Sequence, residues 1–320
     1  MSLLARLHTF FITLMCLATL APAAAHDQPT KIVGTIGMVS DLVAKIAGDH
    51  ADVTTLVKAG LDPHLYKPTR NDVNALRKAD VVFYSGLMLE GKMSDVLIRA
   101  ATSGRKVYPV TSLLGEEYLL EPEEFEGHVD PHVWGDPKAW LAAVDVIAEK
   151  LAANDRRHAD DYQKNAEKLK KEISAVDAYA EKVLNTVPEE SRVLVTAHDA
   201  FNYFARRFGY EVLAIQGIST ESEAGVKDIE NLVDVLVSKK IGAVFVESTI
   251  SDKNIQALIQ GAAAKGHTVV IGGELFSDAM GAEGTYEGTY VGMVDHNATT
   301  IACALGGEAP EKGLNGKLSH

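Results

Sequence analysis

The sequence predicts an α/β fold of two lobes with mainly parallel sheets joined by one long α-helix. Two blocks, one on each side of the midpoint, alternate short β-branched runs with amphipathic stretches, which is the pattern of parallel sheets with crossover helices. Between them, residues 158–186 contain no Gly or Pro and are dense in Lys, Glu and Ala. Leu169, Ile173, Val176, Tyr179, Ala180, Val183 and Leu184 recur there at helical spacing, giving a helix of about 28 residues and roughly 42 Å. A long surface helix within one domain is the alternative, but its place between two alternating blocks makes it an inter-lobe strut.

At the N-terminus, Arg6 is a positive start, Phe10 to Leu20 an apolar run, and Ala21-Pro22-Ala23-Ala24-Ala25 an A-x-A cleavage site. Residues 1–25 are therefore expected to be a removed signal peptide, which puts the mature chain in the periplasm. The run is short for a transmembrane span, and no later stretch replaces it. Cys16 offers an acylation site instead, but bulky Met15 precedes it where lipid attachment wants a small residue, so cleavage after Ala25 is expected. That cut leaves Cys303 as the one cysteine, so no internal disulfide staples the fold. It also makes the formal net charge of −13 more negative, because Arg6 is lost. Such acidity disfavours nucleic acid as a partner.

The first lobe is expected over residues 26–157. Lys31 to Ile36, Asp52 to Val57, Val81 to Ser85 and Lys106 to Val110 read as strands, with helices at Val39 to Ile46, Arg70 to Lys78 and Lys92 to Ala101. Thr69 with Asp72 forms a weak capping-box pattern, and Asp136 with Pro137 opens a further helix. Glu116 to Glu126 carries six glutamates and reads as an exposed loop. The second lobe, residues 187–305, repeats the alternation. Its strands are Arg192 to Thr196, Glu211 to Ala214, Ala243 to Glu247 and Thr268 to Ile271. Its helices are Ala200 to Phe208, Ser222 to Lys239, Asp252 to Ala264 and Tyr290 to Leu305. Residues 306–320, rich in Gly, Lys and Glu, read as a loose tail.

Asp-Pro-His occurs twice, as Asp62-Pro63-His64-Leu65-Tyr66-Lys67-Pro68 and Asp130-Pro131-His132-Val133-Trp134-Gly135-Asp136-Pro137. Each histidine rides on a loop stiffened by the proline before it. Open α/β sheets bind ligands beyond the carboxyl ends of their strands. His198, after the first strand of the second lobe, and Asp278, after its last, lie there too. Imidazole and carboxylate suit Zn²⁺, Mn²⁺ and Fe²⁺. Donors this far apart in the chain, drawn from two lobes, describe a site that closes around an ion rather than a structural zinc knuckle. His198 as a mere helix opener and Asp278 as a loop acid remain the alternatives.

Asp62, Asp130, Asp199 and Glu247 are candidates to hydrogen-bond the histidines from behind and fix their tautomers, although turns and caps are the commoner work of aspartates. His128 is expected in solvent, His158 on a solvated helix face, and His50, His267, His296 and His320 in structural or surface roles. No G-x-x-x-x-G-K-[ST] loop, G-x-S-x-G elbow or H-E-x-x-H is present. Asn297-Ala298-Thr299 fits the glycosylation pattern but falls in a predicted helix.

These motifs, with Thr196-Ala197-His198-Asp199-Ala200-Phe201 and Gly272-Gly273-Glu274-Leu275-Phe276-Ser277-Asp278-Ala279-Met280, closely resemble the solute-binding proteins of metal-importing ABC transporters, the cluster A-I (cluster IX) family. The likeness runs from about Lys31 to Leu305. It implies a metal site in the inter-lobe cleft with His64, His132, His198 and Asp278 as ligands, and a metal that is cargo rather than catalytic cofactor. It also implies a membrane permease as partner, an ATPase on a separate chain, and limited lobe movement because the linking helix is rigid. A monomer without enzymatic activity is expected. A third histidine at His198 tilts the cargo toward Zn²⁺, whereas the absence of a histidine-rich loop tilts it toward Mn²⁺, and Fe²⁺ also suits these donors. The rival readings are an exported zinc-dependent hydrolase, which needs an open coordination position and a nearby base, and a metal-binding surface adhesin.

Overall fold

The computed structural model describes residues 28–125 and 127–319. The signal-peptide reading of residues 1–25, including Cys16, lies outside them, as do Glu126 and His320. The first sheet contains β1 (Thr30–Gly34), β2 (Ala51–Thr55), β3 (Val81–Tyr84) and β4 (Lys106–Pro109), all parallel, in the order β2-β1-β3-β4. Helices α1 (Gly37–Ala47), α2 (Arg70–Lys78) and α3 (Ser94–Thr102) connect them, and α4 (Pro137–Asn154) leads away. The predicted caps are present. Thr69 Oγ1 accepts the Asp72 N–H while Asp72 returns a bond to the Thr69 N–H, and Asp136 accepts from Lys138 and Ala139 ahead of Pro137. Thr69→Ala is expected to destabilise the fold by about 1 kcal/mol, read as a lower urea midpoint with unchanged slope.

The long helix, α5, spans Ala159–Leu184, and its predicted apolar stripe is buried from Leu169 to Leu184. Asp177 is buried with the stripe because Arg207 forks onto both its oxygens, at 2.8 and 2.7 Å. This contact fastens the strut to α6 (Asn202–Phe208). In the second lobe, β5 (Val193–His198) pairs in parallel with β6 (Glu211–Gln216), and β7 (Ala243–Glu247) with β8 (Val270–Leu275), with β5 alongside β7. Helices α7 (Val226–Lys239), α8 (Lys253–Ala264) and α9 (Tyr290–Ala304) complete it.

The main apolar core is not confined to one lobe. It runs from Ile32, Leu42 and Phe83 through Trp140 and Ile173 to Phe204, Met293 and Ile301, while a smaller core around Leu236, Val244, Ile255 and Leu258 fills the second lobe. A core that crosses the junction resists separation of the lobes, since opening would expose apolar surface.

One expectation needs correction, and three readings are sharpened. The tail is docked rather than loose: both oxygens of buried Asp295 accept the Leu314 N–H, at 3.0 and 2.9 Å, Glu287 accepts from Ser319, and Leu318 is 2% exposed. A carboxylate buried in α9 needs donors, and the tail backbone supplies one. Gly313, at φ 69°, lets the chain pass where a side chain would strike Asp295. Asp199 does not cap α6, whose N-cap position is Phe201, and instead accepts from the Asn202 side chain. His50 and His158 stack on each other with ring centroids 3.8 Å apart, each bonded to an aspartate, Asp161 and Asp155. Asn297 is no glycan acceptor in this fold, since its side chain bonds the Phe276 backbone from within α9.

Candidate metal centre

Four loops or strand ends bring His64, His132, His198 and Asp278 together. His64 lies in the loop after β2, His132 between β4 and α4, His198 on the last residue of β5, and Asp278 in the loop after β8. All four are buried, at 3%, 0%, 0% and 1% exposure. One donor atom from each lies within 4.8 Å of all the others. His64 Nε2 is 3.3 Å from His132 Nε2 and 3.4 Å from Asp278 Oδ2. His132 Nε2 is 3.2 Å from Asp278 Oδ1, and His198 Nε2 is 3.2 Å from Asp278 Oδ2.

These four separations are of the size expected between donors around one ion. Metal–donor bonds of about 2.0–2.1 Å, typical of zinc with nitrogen and oxygen, put tetrahedral donors roughly 3.3–3.4 Å apart. His64 and His132 share a hydrogen bond between their Nε2 atoms, whereas the contacts to Asp278 are short without forming one. Both oxygens of Asp278 and Nε2 of His198 are buried without a hydrogen-bond partner. Buried polar atoms left unpaired are costly, and here they converge on one point, as donors to a cation do.

The histidines are oriented from behind. Asp130 Oδ1 accepts both the backbone N–H of His132, at 2.9 Å, and its ring Nδ1–H, at 2.7 Å. Glu247, at the end of β7, does the same for His198, with Oε1 on the backbone N–H at 2.9 Å and Oε2 on Nδ1 at 2.5 Å. Each carboxylate places the ring proton on Nδ1 and leaves Nε2 for the ion. Asp62 accepts the His64 backbone N–H at 2.8 Å but makes no bond to its ring, and Asp199 accepts from the Asn202 side chain that also ties Asp130. The His132 indole neighbour, Trp134, donates across the junction to the Ser277 carbonyl at 2.8 Å and accepts Tyr290 Oη on its own carbonyl.

Burial opposes charge on both histidines, but the carboxylates outweigh it. With Asp278 and Asp130 beside it, His132 is pushed up to about 9. Glu247 and Asp278 hold His198 well above the ordinary imidazole range, and burial of Asp278 is overridden by His198 and His132, which keep its carboxyl well below the usual value. The carboxylates thus favour the protonated form of both rings while no ion is bound. His128 is exposed in the acidic stretch, away from the cluster. Asn202, which ties Asp130 Oδ2 at 3.1 Å, and Tyr203, which donates to the Asp130 carbonyl at 2.8 Å, had no sequence signal beyond their nearness to His198.

Two α/β lobes on a helical strut, with buried nitrogen and oxygen donors contributed by both, define a binding protein for a small cation. The family profile described as "ZnuA: Zinc-uptake complex component A periplasmic" matches residues 32–304, and the chain belongs to that family, the cluster A-I solute-binding proteins. It is similar to the manganese-binding lipoprotein MntA of Bacillus subtilis, with 46% identity over 279 residues, covering 87% of this chain and 90% of the relative. The zinc-binding protein TroA of Treponema pallidum is 44% identical over 282 residues, covering 88% and 91%. The solved structure of the periplasmic zinc-binding protein TroA superimposes with a TM-score of 0.84 at 42% identity, covering 87% of this chain and 99% of that one.

Proposed function

We propose that this protein captures a divalent transition metal, Zn²⁺ or Mn²⁺, outside the inner membrane and delivers it to the permease of an ABC importer. The observation that carries the reading is the convergence of His64, His132, His198 and Asp278, with Asp278 and His198 donors buried and unpaired. The metal is cargo, and the protein works as a monomer with the ATPase on another chain. Residues 1–25 serve as the export signal, and the lobes comprise residues 26–157 and 187–305 around the 158–186 strut. Among the described residues, no helix is long and apolar enough to cross a membrane.

The site supports a carrier better than a hydrolase. Four protein donors already converge on one point, and the carboxylates behind them, Asp130 and Glu247, are engaged with imidazole nitrogens rather than facing a water. A core that spans both lobes supports release by small local movement rather than wide hinge opening.

Elemental analysis of protein purified from the native periplasm at controlled zinc and manganese supply tests the reading, with one equivalent of bound metal expected. Because affinity order favours Zn²⁺ over Mn²⁺ in most sites, supply must be controlled for the occupant to identify the cargo. A deletion strain should fail to grow under chelation and recover with the cognate metal. Metal-free protein from the periplasm, together with normal growth of the deletion strain, would sink the proposal. Intact mass of the mature chain separates cleavage after Ala25 from acylation at Cys16.

A further inference from the structure

The two Asp-Pro-His motifs start alike and diverge in what the aspartate does. In both, Oδ1 accepts the backbone N–H of the histidine two residues on, at 2.8 Å for Asp62 and 2.9 Å for Asp130. Asp130 uses the same oxygen to hold the His132 ring. Asp62 instead turns its second oxygen across the cleft, where Thr220 Oγ1 donates to Oδ2 at 2.6 Å. The His64 ring is left with no carboxylate at its nitrogens, among the described residues, except the fellow ligand Asp278.

The lobes are also tied unequally. Around His132, buried bonds cross the junction: Trp134 to the Ser277 carbonyl, Tyr290 to the Trp134 carbonyl, Tyr203 to the Asp130 carbonyl. On the His64 side, the crossings include Lys92 to Glu221 at 2.8 Å, Lys58 to Glu283 at 3.4 Å, the Tyr290 N–H to Asp41 at 3.0 Å, and Thr220 to Asp62. Both ion pairs join exposed side chains, which water and salt weaken. Thr220 is 5% exposed, so its bond is shielded, and it is the crossing that reaches the Asp62-Pro63-His64 loop itself.

From this asymmetry, and resting on the metal-carrier reading above, we infer that Thr220 is a positioning residue for His64, acting through Asp62, and sets the rate at which the bound metal leaves. Asp62 is a relay: one oxygen holds the His64 backbone, the other is held by the opposite lobe. While the clasp is closed, His64 is fixed relative to His198 and Asp278, which belong to the lobe that carries Thr220. When it opens, the His64 loop can follow its own lobe and withdraw a donor, leaving the other three in place.

Thr220→Val keeps the side-chain shape and removes the donor. Stopped-flow transfer of Zn²⁺ from loaded full-length protein to excess EDTA should show release about ten- to a hundredfold faster, the range for losing a hydrogen bond to a carboxylate. Association should change by less than about threefold, since most affinity changes act through dissociation. Thr220→Ser, which keeps the hydroxyl, should return the wild-type rate, whereas a purely steric role would leave the shape-preserving Val like wild type and alter Ser. Unchanged thermal midpoints for the metal-free variants show that the fold is intact. Release from Thr220→Val at the wild-type rate, or failure of Ser to restore it, overturns the inference. His132→Ala is the separate control: if it still binds Zn²⁺ at wild-type affinity, the carrier reading fails, whereas its loss of binding beside an unaltered Thr220→Val sinks the clasp alone.

Discussion

Asp278→Ala is expected to weaken metal binding by several hundredfold or more. Asp278 is the single ligand whose atoms approach all three imidazole nitrogens, at 3.4, 3.2 and 3.2 Å, and it is the only anion among the four donors. Four-donor zinc sites bind with about 10–16 kcal/mol, so an even share per donor is roughly 2.5–4 kcal/mol, or about 70- to 900-fold in affinity, and loss of the one anionic donor belongs at the upper end. Loss of the carboxylate also weakens proton binding at His132 and His198, which returns part of that cost. Asp278→Asn keeps an oxygen donor and the shape, and should fall between alanine and wild type. Competition against a chromophoric chelator measures each variant, with His128→Ala as a control that should bind normally. A loss smaller than about tenfold for Asp278→Ala would mean that the ion sits elsewhere.

That this residue could be found without coordinates follows from local chemistry. Proline before His64 and His132, and strand ends before His198 and Asp278, are features of a few consecutive residues, and the four residues they single out come together in one buried group. The strut was equally legible, because a long stretch free of Gly and Pro with one apolar stripe has few other ways to fold. What escaped depends on approach in space. The Gly- and Lys-rich tail looked unstructured because nothing in its composition reveals that buried Asp295 waits for its backbone. His50 and His158 looked unrelated because they meet only where the turn after α1 abuts the start of α5. Glu247 was visible as an acid at a strand end, but its grip on His198 needed β7 to lie beside β5. The identical Asp-Pro-His motifs likewise concealed that one aspartate serves a ring and the other a neighbouring lobe.

Acid should expel the metal, and the proton count should show why. In the metal-free cluster, Asp278 and Asp130 against opposing burial push His132 up to about 9, and Glu247 and Asp278 raise His198 well above its ordinary value. Imidazole must be deprotonated to coordinate, so binding near neutral pH displaces protons from both rings. With the bound-state protons gone, affinity falls as pH drops below about 9, by roughly tenfold per pH unit for each proton displaced. The two rings share Asp278 and titrate together, so one to two protons are expected, with release complete below about pH 6. Calorimetry in buffers of different ionisation enthalpy counts them directly. The metal-free fold has the opposite trend. Raised imidazoles stabilise it fully below their unfolded value of about 6.5 and lose that contribution as pH rises toward 9, while depressed Asp278 contributes above its unfolded value of about 3.9. The gap in thermal midpoint between loaded and empty protein should therefore widen steadily from pH 6 to pH 8. Binding with no proton release across that range would show that the rings are already neutral in the empty site, and that the carboxylates behind them hold the rings in place without loading them with protons.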